Sequence, residues 1–283
     1  MVLDRFGRKM RYWMKIGVRA HDYGKRKIEE MAALLRDEGY GAAQLVLPKA
    51  FMEISRYEDV KSGVVEKVRR AFEKNDVEIP VLGCYMDLGN PDAQVRKLAV
   101  RTLEQCLVWG KELGAGVVGT ETAYPRLTEE QKRVWKPFML DSIKRVMETA
   151  CRVDMRLALE PVYWHPLTDL ETTLEVIRMV GDEKHLRLIF DASNLLEFPE
   201  DTDQDRLWIR WLERIGRYVD VMHIKDFSLD RRGQYQPEPL GKGVMRYGAV
   251  SRWLEGQKRE ISLIREEMNL LFVKEDLAFM RNL

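Results

Sequence analysis

Four side chains of ligand type sit at or near the end of a short apolar run: Glu160 after RLAL, Asp191 after LRLIF, His223 inside VDVMHI and Glu266 after ISLIR. Singly, each has an ordinary explanation. A carboxylate at a strand end often caps the next helix, and a histidine on an apolar strand is commonly a hydrogen-bonded core residue. Together they point elsewhere. Three carboxylates gathered at one place repel and do not all stay ionised, and a divalent cation removes the conflict. Carboxylate oxygens and an imidazole nitrogen bind such a cation at about 2.0–2.2 Å. An oxygen-rich set suits Mn²⁺ or Mg²⁺, and the imidazole also admits Co²⁺ or Zn²⁺.

Gathering them requires that the four runs end together. Eight β-rich runs recur along the chain: MKIGVR (14–19), AAQLVL (42–47), EIPVLGC (78–84), AGVVGT (115–120), RLALE (156–160), LRLIF (186–190), VDVMHI (219–224) and ISLIRE (261–266). Helix-period stretches such as YGKRKIEEMAALLRDEG and PDAQVRKLAVRTLEQCLVWGKELG alternate with them. The second is expected to start with Asn90 as cap and Pro91 at the first helical position, and to end on a left-handed Gly114. Strands alternating with helices predict a parallel sheet, because parallel neighbours need crossover connections. Runs apolar at nearly every position predict strands covered on both faces. Eight such units predict an α/β fold, a single-domain (β/α)8 TIM barrel over residues 14–283, with residues 1–13 as an N-terminal extension. A doubly wound open sheet would carry a Gly-rich phosphate turn after its first strand, and RAHDYG is not one. In a barrel the carboxyl ends of the strands share one mouth. The fifth to eighth strands then deliver Glu160, Asp191, His223 and Glu266 to the same rim.

Composition excludes several classes. Lys plus Arg number 47 against 46 Asp plus Glu, a balance without the basic excess that nucleic-acid binding wants. No run approaches the roughly 18 consecutive apolar residues of a membrane span. MVLDRFGRKMRYW has no apolar core of signal-peptide length. Cys84, Cys106 and Cys151 lack metal-type spacing and fit reduced thiols. These features lead us to expect a cytoplasmic protein that binds neither nucleic acid nor membrane.

The chain resembles the xylose isomerase-like TIM barrels, the superfamily of sugar (phosphate) isomerases and epimerases. LALEP, FDASN, MHIKD, the GKG at 241–243 and the first Glu of REEM carry the resemblance, which runs from KIGVRAHD to LIREEM. It implies one divalent metal ion, commonly Mn²⁺, held by Glu160, Asp191, His223 and Glu266. It also implies that Glu160 and Glu266 are the catalytic pair, one removing a proton beside a ketose or polyol carbonyl and the other returning one. A metal-held carbonyl with a carboxylate beside it is suited to that step. The expected activity is therefore a metal-dependent sugar isomerase or epimerase. A lyase on the same scaffold, inosose-dehydratase-like or C-glycoside-cleaving, is the alternative. Two positions depart from many epimerases: Asn194 stands where they carry His, and Leu229 where several carry Arg. Related barrels that act as apurinic endonucleases use more histidine ligands than the four His of this chain provide. A non-catalytic subunit would be marked by a missing ligand, and all four are present. The resemblance further implies a homodimer or homotetramer and a small-molecule carbohydrate substrate, and no Gly-rich phosphate cradle is evident.

Other residues are candidates for substrate binding. His21, in RAHD, either contacts substrate or caps its loop. Glu121 either binds a hydroxyl or caps a helix. Trp164 and His165 follow Glu160, and sugar rings stack well on aromatic faces. Asn194 can hydrogen-bond but not titrate. Lys225 and Asp226 face the mouth by the resemblance, Lys225 either stabilising an oxyanion or pairing with Asp226. Cys84 is expected to be a small packing residue.

Overall fold

In the computed structural model, which describes residues 14–199 and 202–283, each of the eight apolar runs forms a strand. The expected extension over residues 1–13 lies outside the described residues. The strands are β1 (Met14–Arg19), β2 (Ala42–Leu45), β3 (Glu78–Gly83), β4 (Val117–Thr120), β5 (Leu157–Leu159), β6 (Leu186–Asp191) and β7 (Val219–Ile224). A small hairpin, β8 (Phe227–Leu229) and β9 (Tyr235–Pro237), precedes the last barrel strand, β10 (Ile261–Arg265). Every barrel pair is parallel, and Met14 opposite Ile261 begins the β1–β10 ladder that closes the ring. The fold is the expected (β/α)8 barrel.

The outer layer comprises α1 (Ile28–Asp37), α2 (Leu47–Ala50), α3 (Ser62–Lys74), α4 (Ala93–Leu113), α5 (Glu129–Val153), α6 (Leu170–Val180), α7 (Gln204–Ile215), α8 (Gly248–Glu255) and α9 (Val273–Asn282). Each turns an apolar stripe inward. On α7 that stripe is Trp208, Trp211, Leu212 and Ile215, all buried, each worth about 1.5–3 kcal/mol for a large side chain. The start of α4 corrects one expectation. Asp92, not Asn90, is the cap, its Oδ1 accepting from the N–H of Gln94 at 2.7 Å, while Asn90 Oδ1 accepts from Asp92 N–H at 2.9 Å. Two successive side-chain caps push the first helical residue past Pro91 to Ala93. The far end of α4 is as expected, with Gly114 left-handed at φ 69°.

Inside the barrel Val81, Val117, Ala158, Ile189, Val221 and Ile264 form one buried cluster, one residue from each of six strands. A β-carbon on Gly119 would lie 2.7 Å from Ile189 Cδ1 and 2.9 Å from Val81 Cγ1, so glycine lets this layer close. The plug seals the barrel below the mouth and fixes the depth at which polar side chains can gather.

Candidate functional site

The four strand-end residues meet at the mouth. Glu160 follows β5 directly, Asp191 ends β6, His223 is next to last in β7 and Glu266 follows β10. Asp191 stands opposite His223 in the β6–β7 ladder, which puts both at one level. All four are buried.

One ligand atom from each of Glu160, Asp191 and His223 lies within 4.8 Å of the other two. His223 Nδ1 is 3.2 Å from Glu160 Oε2 and 3.8 Å from Asp191 Oδ2. These same three atoms are buried without a hydrogen-bond partner; Lys225 Nζ approaches Asp191 Oδ2 to 2.9 Å, but as an ion contact outside hydrogen-bond geometry. Their sister atoms are all satisfied. Glu160 Oε1 accepts from Asn194 Nδ2 at 2.7 Å. Asp191 Oδ1 accepts from the Ser193 hydroxyl and from the N–H groups of Ser193 and Asn194. His223 Nε2–H donates to Gln44 Oε1 at 2.7 Å. Three buried atoms without a hydrogen-bond partner, aimed at one point, fit a cation with O, O and N donors.

Glu266 is oriented differently. Its Oε1 lies 3.5 Å from Nε2 of His223, the ring nitrogen facing away from Glu160 and Asp191, and accepts from Gln44 Nε2 at 2.7 Å. Its Oε2 pairs with Lys225 at 3.1 Å and Arg19 at 3.4 Å. The structure thus gathers three of the expected ligands around one point and turns the fourth toward Gln44, Lys225 and Arg19.

The charges explain the protonation states. Burial opposes a charged imidazole, but the carboxylates of Glu266, Glu160 and Asp191 outweigh it and raise His223 to about 9. Burial likewise opposes a charged Glu266, yet His223, Lys225 and Arg19 hold its carboxyl well below the usual range. Lys225 is raised against its own desolvation by Asp191 and Glu266. Glu121 keeps 28 % of its side-chain surface through the mouth. It nevertheless sits deep enough that desolvation, with Glu160 next in size, raises it to about 8.

The remaining candidates separate. His165 is buried, its Nδ1 without a hydrogen-bond partner and 3.6 Å from Glu121 Oε2; burial and then Arg126 lower it to about 3. Trp164 packs edge-on against Tyr163 and His165, and the Arg126 guanidinium lies 4.3 Å over one face of its ring. His21 is half-buried, lowered to about 4 by burial and by Arg19. Lys225 pairs with Asp191 and Glu266 rather than with its neighbour Asp226. Asp226 is a loop anchor: its oxygens accept from the N–H groups of Phe227, Gly241, Gly243 and Met245. This explains GKG, since a β-carbon on Gly243 would collide with the Phe227 carbonyl and the Asp226 carboxylate. Cys84 packs in the core.

Gln44, Arg19 and Tyr85 went unpredicted. Gln44 donates from Nε2 to both Glu266 Oε1 and the Tyr85 hydroxyl, the latter at 2.8 Å, so its amide can face His223 only with the oxygen. The available signal was slight: one polar residue inside the apolar run AAQLVL, and an arginine closing MKIGVR.

A family model described as xylose isomerase-like TIM barrel matches residues 32–283. Among solved structures, the E. coli 3-keto-D-glucoside 4-epimerase YcjR superposes with TM-score 0.72 at 16% identity, covering 95% of this chain and 100% of that one. A D-tagatose 3-epimerase-like protein gives TM-score 0.75 at 16% identity, over 95% and 96% of the two chains. The IOLI protein with a bound zinc atom gives TM-score 0.71 at 16% identity, over 95% of each. At such identities the likeness is one of fold. No curated protein sequence matches the chain significantly. No helix among the described residues is long and apolar enough to cross a membrane.

Proposed function

Since the chain belongs to the xylose isomerase-like TIM barrel family, we propose that it is a divalent-metal-dependent sugar isomerase or epimerase acting on a ketose or related polyol. The observation that carries the proposal is the convergence of three buried ligand atoms that make no hydrogen bond, Glu160 Oε2, Asp191 Oδ2 and His223 Nδ1, at the end of the barrel where such enzymes work. Glu160, Asp191 and His223 would hold the ion, with Glu266 completing the set after rotation. Mn²⁺ is the first choice for a donor set of mostly oxygen with one nitrogen, and Mg²⁺, Co²⁺ or Zn²⁺ are admissible. When bound, the ion would supply Lewis-acid polarisation of a substrate carbonyl.

This chain's own residues do the rest. Glu160 and Glu266 flank the site from non-adjacent strands, so one takes the proton from the carbon beside the carbonyl and the other delivers one to the neighbouring centre. Asn194 fixes the Glu160 carboxylate by its 2.7 Å bond to Oε1. Gln44, Lys225 and Arg19 hold Glu266 ionised and ready to accept. His21, Trp164 and His165 form the substrate wall with Glu121, and Lys225 stands near enough to Asp191 and Glu266 to stabilise a developing oxyanion. The plug beneath keeps bulk water out from below.

One observation favours the lyase alternative. Glu121, raised to about 8, is a protonated carboxyl at neutral pH and could protonate a leaving oxygen. A sugar panel incubated in D₂O tests both. Isomerisation or epimerisation replaces a carbon-bound hydrogen by deuterium and yields a product of otherwise equal composition. Loss of water or an aglycone, abolished by Glu121→Gln, would select the lyase. Neither outcome with any metal would overturn the proposal.

A further inference from the structure

At the opposite end of the barrel from the mouth, three side chains of mixed softness converge. Cys151 lies in the last turn of α5, Asp182 just after α6 and His185 just before β6. A ligand atom from each lies within 4.8 Å of the other two. Cys151 Sγ–H donates to Asp182 Oδ2 at 3.0 Å, and His185 Nδ1 is 2.7 Å from that same oxygen.

We propose that Cys151, Asp182 and His185 form a second metal site, apart from the mouth, that takes Zn²⁺. The donors are one sulfur, one nitrogen and one oxygen, a set that tetrahedral Zn²⁺ accepts with a water in the fourth position. Thiolate plus carboxylate neutralise the ion's two charges. The site is also built behind its ligands. Asp182 Oδ1 accepts from the N–H groups of Lys184 and His185, at 2.8 and 3.0 Å, which fixes the carboxylate and leaves Oδ2 for the ion. The other ring nitrogen, His185 Nε2, faces Asp154 Oδ1 at 3.2 Å. A metal-ligating histidine characteristically donates its second N–H to a carboxylate, which sets the tautomer and the ring plane. Asp154 is in turn held by Lys111 at 3.1 Å and Lys184 at 2.7 Å. A recess of about 390 Å³ beside the cluster, lined partly by Asp154, Lys184 and His185, gives access, and Cys151 is exposed.

In the absence of the ion, hydrogen bonds to Asp182 Oδ2 hold the three groups together. On binding, the Cys151 thiol proton leaves to solvent and the sulfur pair forms the Zn–S bond; the ring proton between Nδ1 and Oδ2 is exchanged through solvent for one on Nε2, which donates to Asp154 Oδ1, so that Nδ1 and Oδ2 are free to coordinate. No oxidation state changes. The ion ties the C-terminus of α5 to the turn that launches β6, the strand that ends in Asp191 at the far mouth.

Co²⁺ is the probe, because a cobalt–thiolate bond has a charge-transfer absorption that oxygen and nitrogen ligands do not give. The mouth residues Glu160, Asp191, His223 and Glu266 offer oxygen and nitrogen donors and no thiolate, so this band reports the second site whether or not the proposed function holds. Titrating the metal-stripped chain with Co²⁺ should develop the band, and Zn²⁺ should bleach it. Cys151→Ser should abolish the band, whereas Glu160→Gln should leave it unchanged. Asp154→Asn should weaken binding about 10–100-fold. Absence of the band in the parent chain overturns the proposal. So does a band that survives Cys151→Ser, or one equally strong in His185→Gln and Asp182→Asn, which would mark a thiol adduct alone.

Discussion

Replacing Gln44 by Leu should weaken metal binding at the mouth by about 10–100-fold, although Gln44 is not among the proposed ligands. Gln44 Oε1 accepts from His223 Nε2–H at 2.7 Å, which leaves the lone pair on Nδ1, the atom facing Glu160 and Asp191. Leucine is near Gln in size but offers no acceptor, so the ring is free to move its proton to Nδ1 or rotate. Loss of such an outer partner typically costs 10–100-fold in metal affinity, about 1.4–2.7 kcal/mol. The fold also suffers. His223 Nε2–H and Glu266 Oε1 both lose a partner inside the barrel, at about 1–3 kcal/mol each, so roughly 2–6 kcal/mol in sum. At about 2–3 °C per kcal/mol for a chain of this length, the metal-free Tm should drop by about 4–18 °C. The assay is calorimetric titration of the metal-free protein with Mn²⁺, paired with thermal melts. Gln44→Glu is the control: it retains an acceptor toward His223 and should bind Mn²⁺ at least as tightly as the parent. A Gln44→Leu variant that binds Mn²⁺ with parental affinity would refute the reasoning, because Nδ1 would then not depend on its tautomer.

Glu160→Gln and Glu266→Gln should each lower deuterium exchange into substrate by about 10²–10⁴-fold with circular dichroism unchanged; full exchange in both would move the proton carrier elsewhere. Metal affinity should rise with pH, about tenfold per unit for one displaced proton, and level off above pH 9, where His223 has lost its proton. The sign for the metal-free chain is opposite. A folded value raised from 6.5 to about 9 adds stability that is complete below about pH 6.5 and is lost as pH rises through 9, so its Tm should fall over that window while the metal-loaded Tm does not. Asp276→Asn strips the partner from Arg265, whose Nε donates to Asp276 Oδ2 at 2.6 Å with both side chains buried. Stranding that charge should cost about 3–5 kcal/mol, read as a denaturation midpoint shift; a shift below 1 kcal/mol would show that water reaches Arg265.

Much of this protein was legible in the chain. Eight apolar runs of strand length, separated by helix-period stretches, leave the barrel as the economical way to bury every strand on both faces. The same runs locate Glu160, Asp191, His223 and Glu266, because a side chain at the carboxyl end of a barrel strand has one place to go. Local rules also set the left-handed end of α4 at Gly114. The start of that helix escaped, since Asn90 and Asp92 both cap and only their mutual geometry decides which one the helix begins from. What lay beyond reach was everything fixed by rotamers and by pairs distant along the chain. That Glu266 turns toward Gln44, Lys225 and Arg19 rather than toward Glu160 is decided by β1, β2 and β7 closing around β10. That Asp226 ties the GKG loop, instead of facing substrate beside Lys225, follows from alternate residues of an extended segment pointing to opposite sides. Gln44 is the sharpest case. An amide in an apolar run carries no mark of function in sequence, and only ring closure, bringing β2 across the barrel mouth from β7, makes it the partner of His223.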